Sequence, residues 1–167
     1  LYMNNYQIQQ SKDIEYGSYY ERMLKKTLSE KHDIELKQYT DTKAIHDFYI
    51  NDKEGNIIGL VELKTRRIKV NQYDSLMLGF NKIEEGRRRV KLEGIKFIVY
   101  VWCLDGKCDK EFYYWIETLD KKQNEYYIEY NGNRSRGDSD KKLAMIYTDC
   151  LKEIKELKKD LIIHDFL

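Results

Sequence analysis

The stretch His46–Arg66, HDFYINDKEGNIIGLVELKTR, decides how this chain folds. Residues 44–50 (AIHDFYI) and 57–64 (IIGLVELK) are rich in β-branched and aromatic side chains and predict two strands. Between them Asp52 to Asn56, containing Gly55, predicts a turn. Residues two apart on a strand share a face. Glu62 and Lys64 therefore project together, Val61 and Leu63 point into the opposite layer, and Asp47 falls beside Glu62 across the hairpin. A strand as apolar as 57–64 reads as central, so an acid and a lysine near its end need a reason to be partly buried. A carboxylate is tolerated there if it binds a metal, and a lysine if it pairs with a carboxylate or an anion.

That set suits one chemistry. Mg2+ or Mn2+ prefers oxygen ligands and keeps several waters. Asp47, Glu62 and the backbone carbonyl of Leu63 would supply the protein side. The ion would acidify a water and polarise a phosphate, and Lys64 would orient or deprotonate that water and stabilise charge in the transition state. The expectation is phosphodiester hydrolysis. The competing reading is an edge-strand salt bridge between Glu62 and Lys64. Glu-x-Lys alone carries little information, since it recurs at Glu35-Leu36-Lys37, Glu153-Ile154-Lys155 and Glu156-Leu157-Lys158. Only Glu62-x-Lys64 ends a strand of buried character and follows an acid at hairpin distance.

Outward from this centre, residues 15–31 predict a helix, with Tyr16, Tyr20, Met23, Leu24 and Leu28 at near-helical spacing. Residues 34–39 predict a strand, and residues 73–91 a helix on Leu76, Phe80 and Ile83. Residues 95–102 (IKFIVYVW) form a continuous apolar run, the signature of a strand covered on both faces. A turn at Asp105-Gly106 leads to predicted strands at 111–118 and 125–130, then a polar loop at 131–138. A long amphipathic helix is expected beyond it, with Leu143, Ile146 or Tyr147, Cys150 or Leu151, Ile154, Leu157 and Leu161 along one stripe, capped by Asp138 or Ser139. A helix between strands 57–64 and 95–102 implies a crossover and parallel pairing. The fold class is α/β (α+β): a central mixed sheet flanked by helices.

The pattern resembles the PD-(D/E)xK nuclease superfamily, which includes restriction enzymes, phage-type exonucleases and archaeal junction resolvases. Its signature is an acid, a hairpin, then acid-x-Lys on the next strand, within a restriction-endonuclease-like α-β-β-β-α-β core. Asp47, Glu62 and Lys64 match it, and the element order matches over about residues 15–118. His46 stands where the superfamily often has proline. The resemblance implies a glutamate in the first helix that helps hold metal, for which Glu21 is the candidate; an exposed helix charge is its plainer reading. It also implies a Lys or Gln in the helix after the motif, facing the site. Lys82 is the first choice, with Gln72 and Tyr73 second, Tyr73 having a core role as its alternative.

Thr65 and Arg66 follow the motif directly and are placed to contact a phosphate. Arg66-Arg67-x-Lys69, Arg87-Arg88-Arg89-x-Lys91 and Arg134-x-Arg136 are local basic clusters of the kind that position nucleic acid. Arg136 is included among the candidate contacts on that basis. The net charge of +1 gives no support for nucleic acid from overall charge, so any footprint is local. The 15 tyrosines and absent prolines, beside abundant Lys, Asn and Ile, fit an A/T-rich coding sequence more simply than a stacking surface. Cys103 and Cys108 flank a hairpin turn and could reach one another, but with Cys150 they make an odd, sparse set that favours reduced thiols; His32, His46 and His164 show no zinc spacing.

The expectation for the whole is one nuclease-like domain over residues 1–167, soluble and intracellular, in host cytoplasm or nucleus if viral, with no membrane partner. It would be a divalent-metal-dependent nuclease acting on DNA in replication, recombination or repair of a phage or mobile element. The alternatives are an RNA endonuclease, or an inactive nucleic-acid-binding or scaffold module of the same fold. A homo-oligomer or protein partner is left open.

Overall fold

The computed structural model describes residues 4–41, 43–104, 112–117, 124–131 and 141–165. Helix α1 (Asn5–His32) opens with a reciprocal cap. Asn4 Oδ1 accepts from the Gln7 backbone N–H at 2.8 Å, and Gln7 Oε1 accepts from that of Asn4 at 3.0 Å. The helix ends at Asp33 in the left-handed conformation. It begins ten residues before the predicted start at 15. Residues 5–15 are exposed and carry no apolar stripe, so periodicity could not find them.

Strands β1 (Lys37–Gln38), β2 (Phe48–Asn51) and β3 (Ile57–Thr65) form an antiparallel meander. Gly55, at φ 90°, takes the turn between β2 and β3, where a side chain would be strained. Strand β4 (Ser75–Gly79) and helix α2 (Phe80–Glu93) stand where one helix was expected over 73–91. Leu76 and Phe80 fit a helical spacing, but Leu76 and Leu78 alternate inward along a strand, and Gly79 starts the helix. The chain then returns as β5 (Phe97–Cys103), parallel to β3 with Glu62 opposite Tyr100 and Lys64 opposite Trp102. This is the expected crossover. Strand β6 (Phe112–Glu117) pairs antiparallel with β5.

The second correction lies near the C-terminus. Strand β7 (Tyr126–Asn131) pairs with β8 (Lys141–Tyr147), which also pairs with β4. The expected helix from 139 onward is instead β8, a 3-10 turn, the short β9 (Lys152–Glu153), a second turn and helix α3 (Leu157–Asp165). The apolar residues of 143–161 do sit at helical spacing. Cross-strand pairing with β4 and β7 overrides that local pattern, which β-propensity alone does not resolve. Asp105-Gly106, Cys108, Arg136 and the proposed cap at 138–139 lie outside the described residues. Cys103 is disulfide-bonded, contrary to the expectation of reduced thiols, while Cys150 is not in a disulfide and its Sγ donates to Asp149 Oδ1 at 3.6 Å.

The described strands make a six-stranded mixed sheet, β1-β2-β3-β5-β6-β9, and a three-stranded antiparallel sheet, β4-β8-β7. The larger sheet has apolar layers on both faces. Tyr20, Leu24 and Leu28 of α1 pack on one, with Val61, Leu63, Val99 and Val101. Leu60, Ile98, Tyr100, Trp102 and Trp115 lie on the other, against Ile83 of α2 and Leu76, Leu78 and Ile146 of the small sheet. Gly86 lets α2 approach closely, since a Cβ there would come within 2.3 Å of Ile98 Cδ1. Among the described residues no helix is long and apolar enough to cross a membrane.

Candidate active site

The site sits on the face of the large sheet that α2 covers. Strand alternation puts Glu62 and Lys64 there, because Val61 and Leu63 fill the layer beneath α1. Glu62 is 1% exposed on a strand bounded by β2 and β5, so it is not an edge residue. The salt bridge of the competing reading is present, with Lys64 Nζ 2.7 Å from Glu62 Oε1. A second lysine joins it. Lys82 Nζ lies 3.0 Å from Glu62 Oε1 and 3.2 Å from Oε2. Lys82, the first choice for a site-facing lysine after the motif, thus reaches the buried acid from the first turn of α2.

Asp47 immediately precedes β2, and the β2–β3 register places it beside Glu62. Its Oδ2 accepts the Leu63 backbone N–H at 2.8 Å, which fixes the carboxyl against β3. Burial, then the charge of Glu62, push its pKa up from 3.8 to about 6, against the opposing pull of the Leu63 N–H, Lys64 and Lys82. Glu21, half-buried on α1, is raised as well, by burial and then by Glu62. In both Asp47 and Glu21 burial is the main cause and the Glu62 carboxylate the second.

His46 is the positioning residue that motif reading passed over. It is 3% exposed, and its Nε2 donates to the Lys82 carbonyl at 3.0 Å. Lys82 Nζ in return donates to the carbonyl of Ile45. The two residues thus clamp the segment before Asp47 to the first turn of α2. Burial lowers the His46 pKa despite the neighbouring Glu62 carboxylate, so the ring is neutral at pH 7. Its adjacency to Asp47 was the one signal in the sequence.

Among the other described candidates, Gln72 and Tyr73 are not brought into this cluster. Gln72 and Tyr73 are exposed and lie in the loop before β4, not in a helix. Gln72 Oε1 accepts from Lys69 N at 3.3 Å, and the Tyr73 carbonyl from Thr148 Oγ1 at 3.1 Å. Tyr73 is also not core, at 56% exposed. Thr65 ends β3 and is half-buried, and Arg66 follows it.

The described residues contain no set of three or more His, Cys, Asp or Glu groups arranged to hold a metal ion. The donor chemistry nevertheless fits a hard divalent cation of the Mg2+ type, which needs only one or two protein carboxylates. Asp47 and Glu62 stand beside the two lysines, Glu21 of α1 is near enough to feel the Glu62 charge, and the raised pKa values of Asp47 and Glu21 are ones a cation would relieve.

Residues 8–157 match the family described as "Phage putative PDDEXK endonuclease". The chain belongs to this family. A nuclease from a fusselovirus, D212, is similar in structure at 13% sequence identity and a TM-score of 0.52, covering 99% of this chain and 98% of that one. At that identity the likeness speaks to fold. No curated protein sequence matches the chain.

Proposed function

We propose that the protein is a divalent-metal-dependent nuclease that hydrolyses phosphodiester bonds in DNA, acting as one domain in the replication, recombination or repair of a phage or related element. The observation that carries this reading is the fully buried Glu62 on a central strand, approached by Lys64 and Lys82 and flanked by Asp47, whose pKa burial and Glu62 push up to about 6.

Asp47 and Glu62 would hold the ion, with Glu21 and the Leu63 carbonyl as further oxygen donors. When bound, such an ion polarises the phosphate and makes a water nucleophilic at neutral pH. Lys64 is the more exposed of the motif's charged pair, at 26% against 2% for Glu62, so its ammonium is the group a phosphate can reach. It stabilises the negative charge that grows on the phosphoryl oxygens and orients the attacking water. Lys82 keeps the Glu62 carboxylate aligned. The His46 clamp keeps Lys82 in place and, being neutral, adds no charge that would repel a cation.

The test is cleavage of labelled linear, circular, single-stranded and branched DNA, with RNA in parallel, in Mg2+ and in Mn2+. The wild type should cut DNA, and Glu62→Gln should lose at least about a thousandfold in rate while keeping its fold by circular dichroism. Cutting of RNA alone would reassign the substrate. Cutting that survives in Glu62→Gln, or that ignores chelation of the metal, would sink the proposal.

A further inference from the structure

We infer that Arg66 binds a backbone phosphate of the substrate strand, further along that strand than the phosphate that is cleaved; this rests on the nuclease reading above. The Arg66 backbone N–H donates to the Cys103 carbonyl at 2.8 Å, so the β3–β5 ladder continues one residue past the end of β3. Strand alternation then carries Arg66 to the face of Glu62 and Lys64. It is two residues past Lys64, roughly 7 Å along an extended chain, which places its guanidinium beyond the phosphate beside Lys64.

The side chain is half-buried, yet the one side-chain hydrogen bond described for it runs from Nη1 to the carbonyl of Thr65, its own neighbour, at 2.8 Å. A guanidinium has five N–H donors. Burial alone, with no charged neighbour contributing, pulls its pKa below the usual arginine value. The other arginines nearby are differently placed. Arg87 binds Glu117, Arg88 binds Glu85, Arg89 binds Glu93, and Arg67 lies 4.6 Å from the Tyr16 ring centroid. Taking a charge out of water without an anion is costly, so a desolvated guanidinium without an acid is set up for an anion that arrives from outside. The planar fork of arginine suits two oxygens of one phosphate. Beside a nuclease site, that anion is the nucleic-acid backbone.

The experiment compares wild type with Arg66→Met in chelator, where metal-dependent cutting is off. Binding of labelled duplex and single-stranded oligonucleotides is followed by fluorescence anisotropy across a salt series. Loss of one phosphate contact should flatten the slope of log K against log salt by about 0.9 for duplex or about 0.7 for a single strand. Arg66→Lys should restore the slope but only part of the affinity. In thermal melting, Arg66→Met should unfold at or above the wild-type temperature, because it removes a desolvated charge. An unchanged slope in Arg66→Met, with wild type binding normally, overturns the inference and leaves the nuclease reading standing. A lowered melting temperature with an unchanged slope makes Arg66 a structural strut. If wild type binds neither DNA nor RNA, the nuclease reading fails and the phosphate contact falls with it.

Discussion

Two glutamates lie buried on the same face of the large sheet, and their surroundings differ. Glu117 on β6 is 1% exposed and takes Arg87 of α2, whose Nε donates to it at 2.7 Å and whose Nη2 donates both to it and, at 3.0 Å, to the Tyr126 hydroxyl on β7. Glu62 on β3 is as deeply buried and takes Lys82 from the same helix. The contrast is in what surrounds the pairs. Around Glu117, arginine and tyrosine tie the large sheet, α2 and the small sheet together. Around Glu62 stand a second carboxylate, Asp47, pushed up to about 6, and a partly exposed Lys64. A buried charge that serves structure is neutralised by its neighbours. Glu62, paired with Lys64 and Lys82, also keeps a neighbour of like sign, the arrangement that the proposed metal site would use.

The largest effect should come from breaking the structural pair. Arg87→Met strands Glu117 without its cation and should cost about 3–5 kcal/mol in urea unfolding. Adding Glu117→Leu, which removes both charges, should recover most of that loss; failure to recover would mean that Arg87 acts through Tyr126 and not through the acid.

Asp47→Asn should do the reverse and stabilise the metal-free protein at pH 7.5, by about 2 kcal/mol, while abolishing cleavage. Folding raises the Asp47 pKa above its unfolded value of 3.8, so the Asp47 contribution is intact below that value and is lost as pH rises through about 6. The stabilising effect should therefore fade as pH falls toward about 4, as read by melting across a pH series. Mg2+ should raise the melting temperature of wild type and leave that of Asp47→Asn unmoved. A drop in stability at neutral pH would place Asp47 with Glu117 as a structural acid.

The smallest of these effects is assigned to Lys82→Met. Lys64 still pairs with Glu62, so the fold should hold within about 1 kcal/mol. The single-turnover rate should fall about tenfold as the carboxylate loses its alignment. An unchanged rate would confine Lys82 to bridging Ile45 and Glu62.

Much of the centre was legible because it is local. Asp47, Glu62 and Lys64 lie within one hairpin, so period-two alternation and one turn suffice to put them together. The crossover to β5 was legible for the same reason: IKFIVYVW is apolar on both faces wherever it occurs. What failed was non-local. Leu76 to Ile83 and Leu143 to Leu161 carry apolar residues at spacings that fit a helix, and only the mutual pairing of β4 and β8 turns part of each into strand. Lys82 was legible as a lysine in the helix after the motif, but its partner at Ile45 is a main-chain oxygen that no side-chain pattern reveals. His46 was hidden likewise, since it bonds a carbonyl and not another side chain. Arg66 was visible as a basic residue; that no acid among the described residues pairs with it was not.

The clamp between His46 and Lys82 carries a consequence for how this site can vary. Lys82 grips the backbone of residue 45, and Asp47 grips the backbone of residue 63. Neither bond depends on which side chain occupies the gripped position, so Ile45 and Leu63 can exchange for other apolar residues without loosening them. A single residue inserted or deleted between positions 44 and 47 is a different matter. It would move the carbonyl, the imidazole and the carboxylate out of phase at once. In this part of the chain, length is held more strictly than letters.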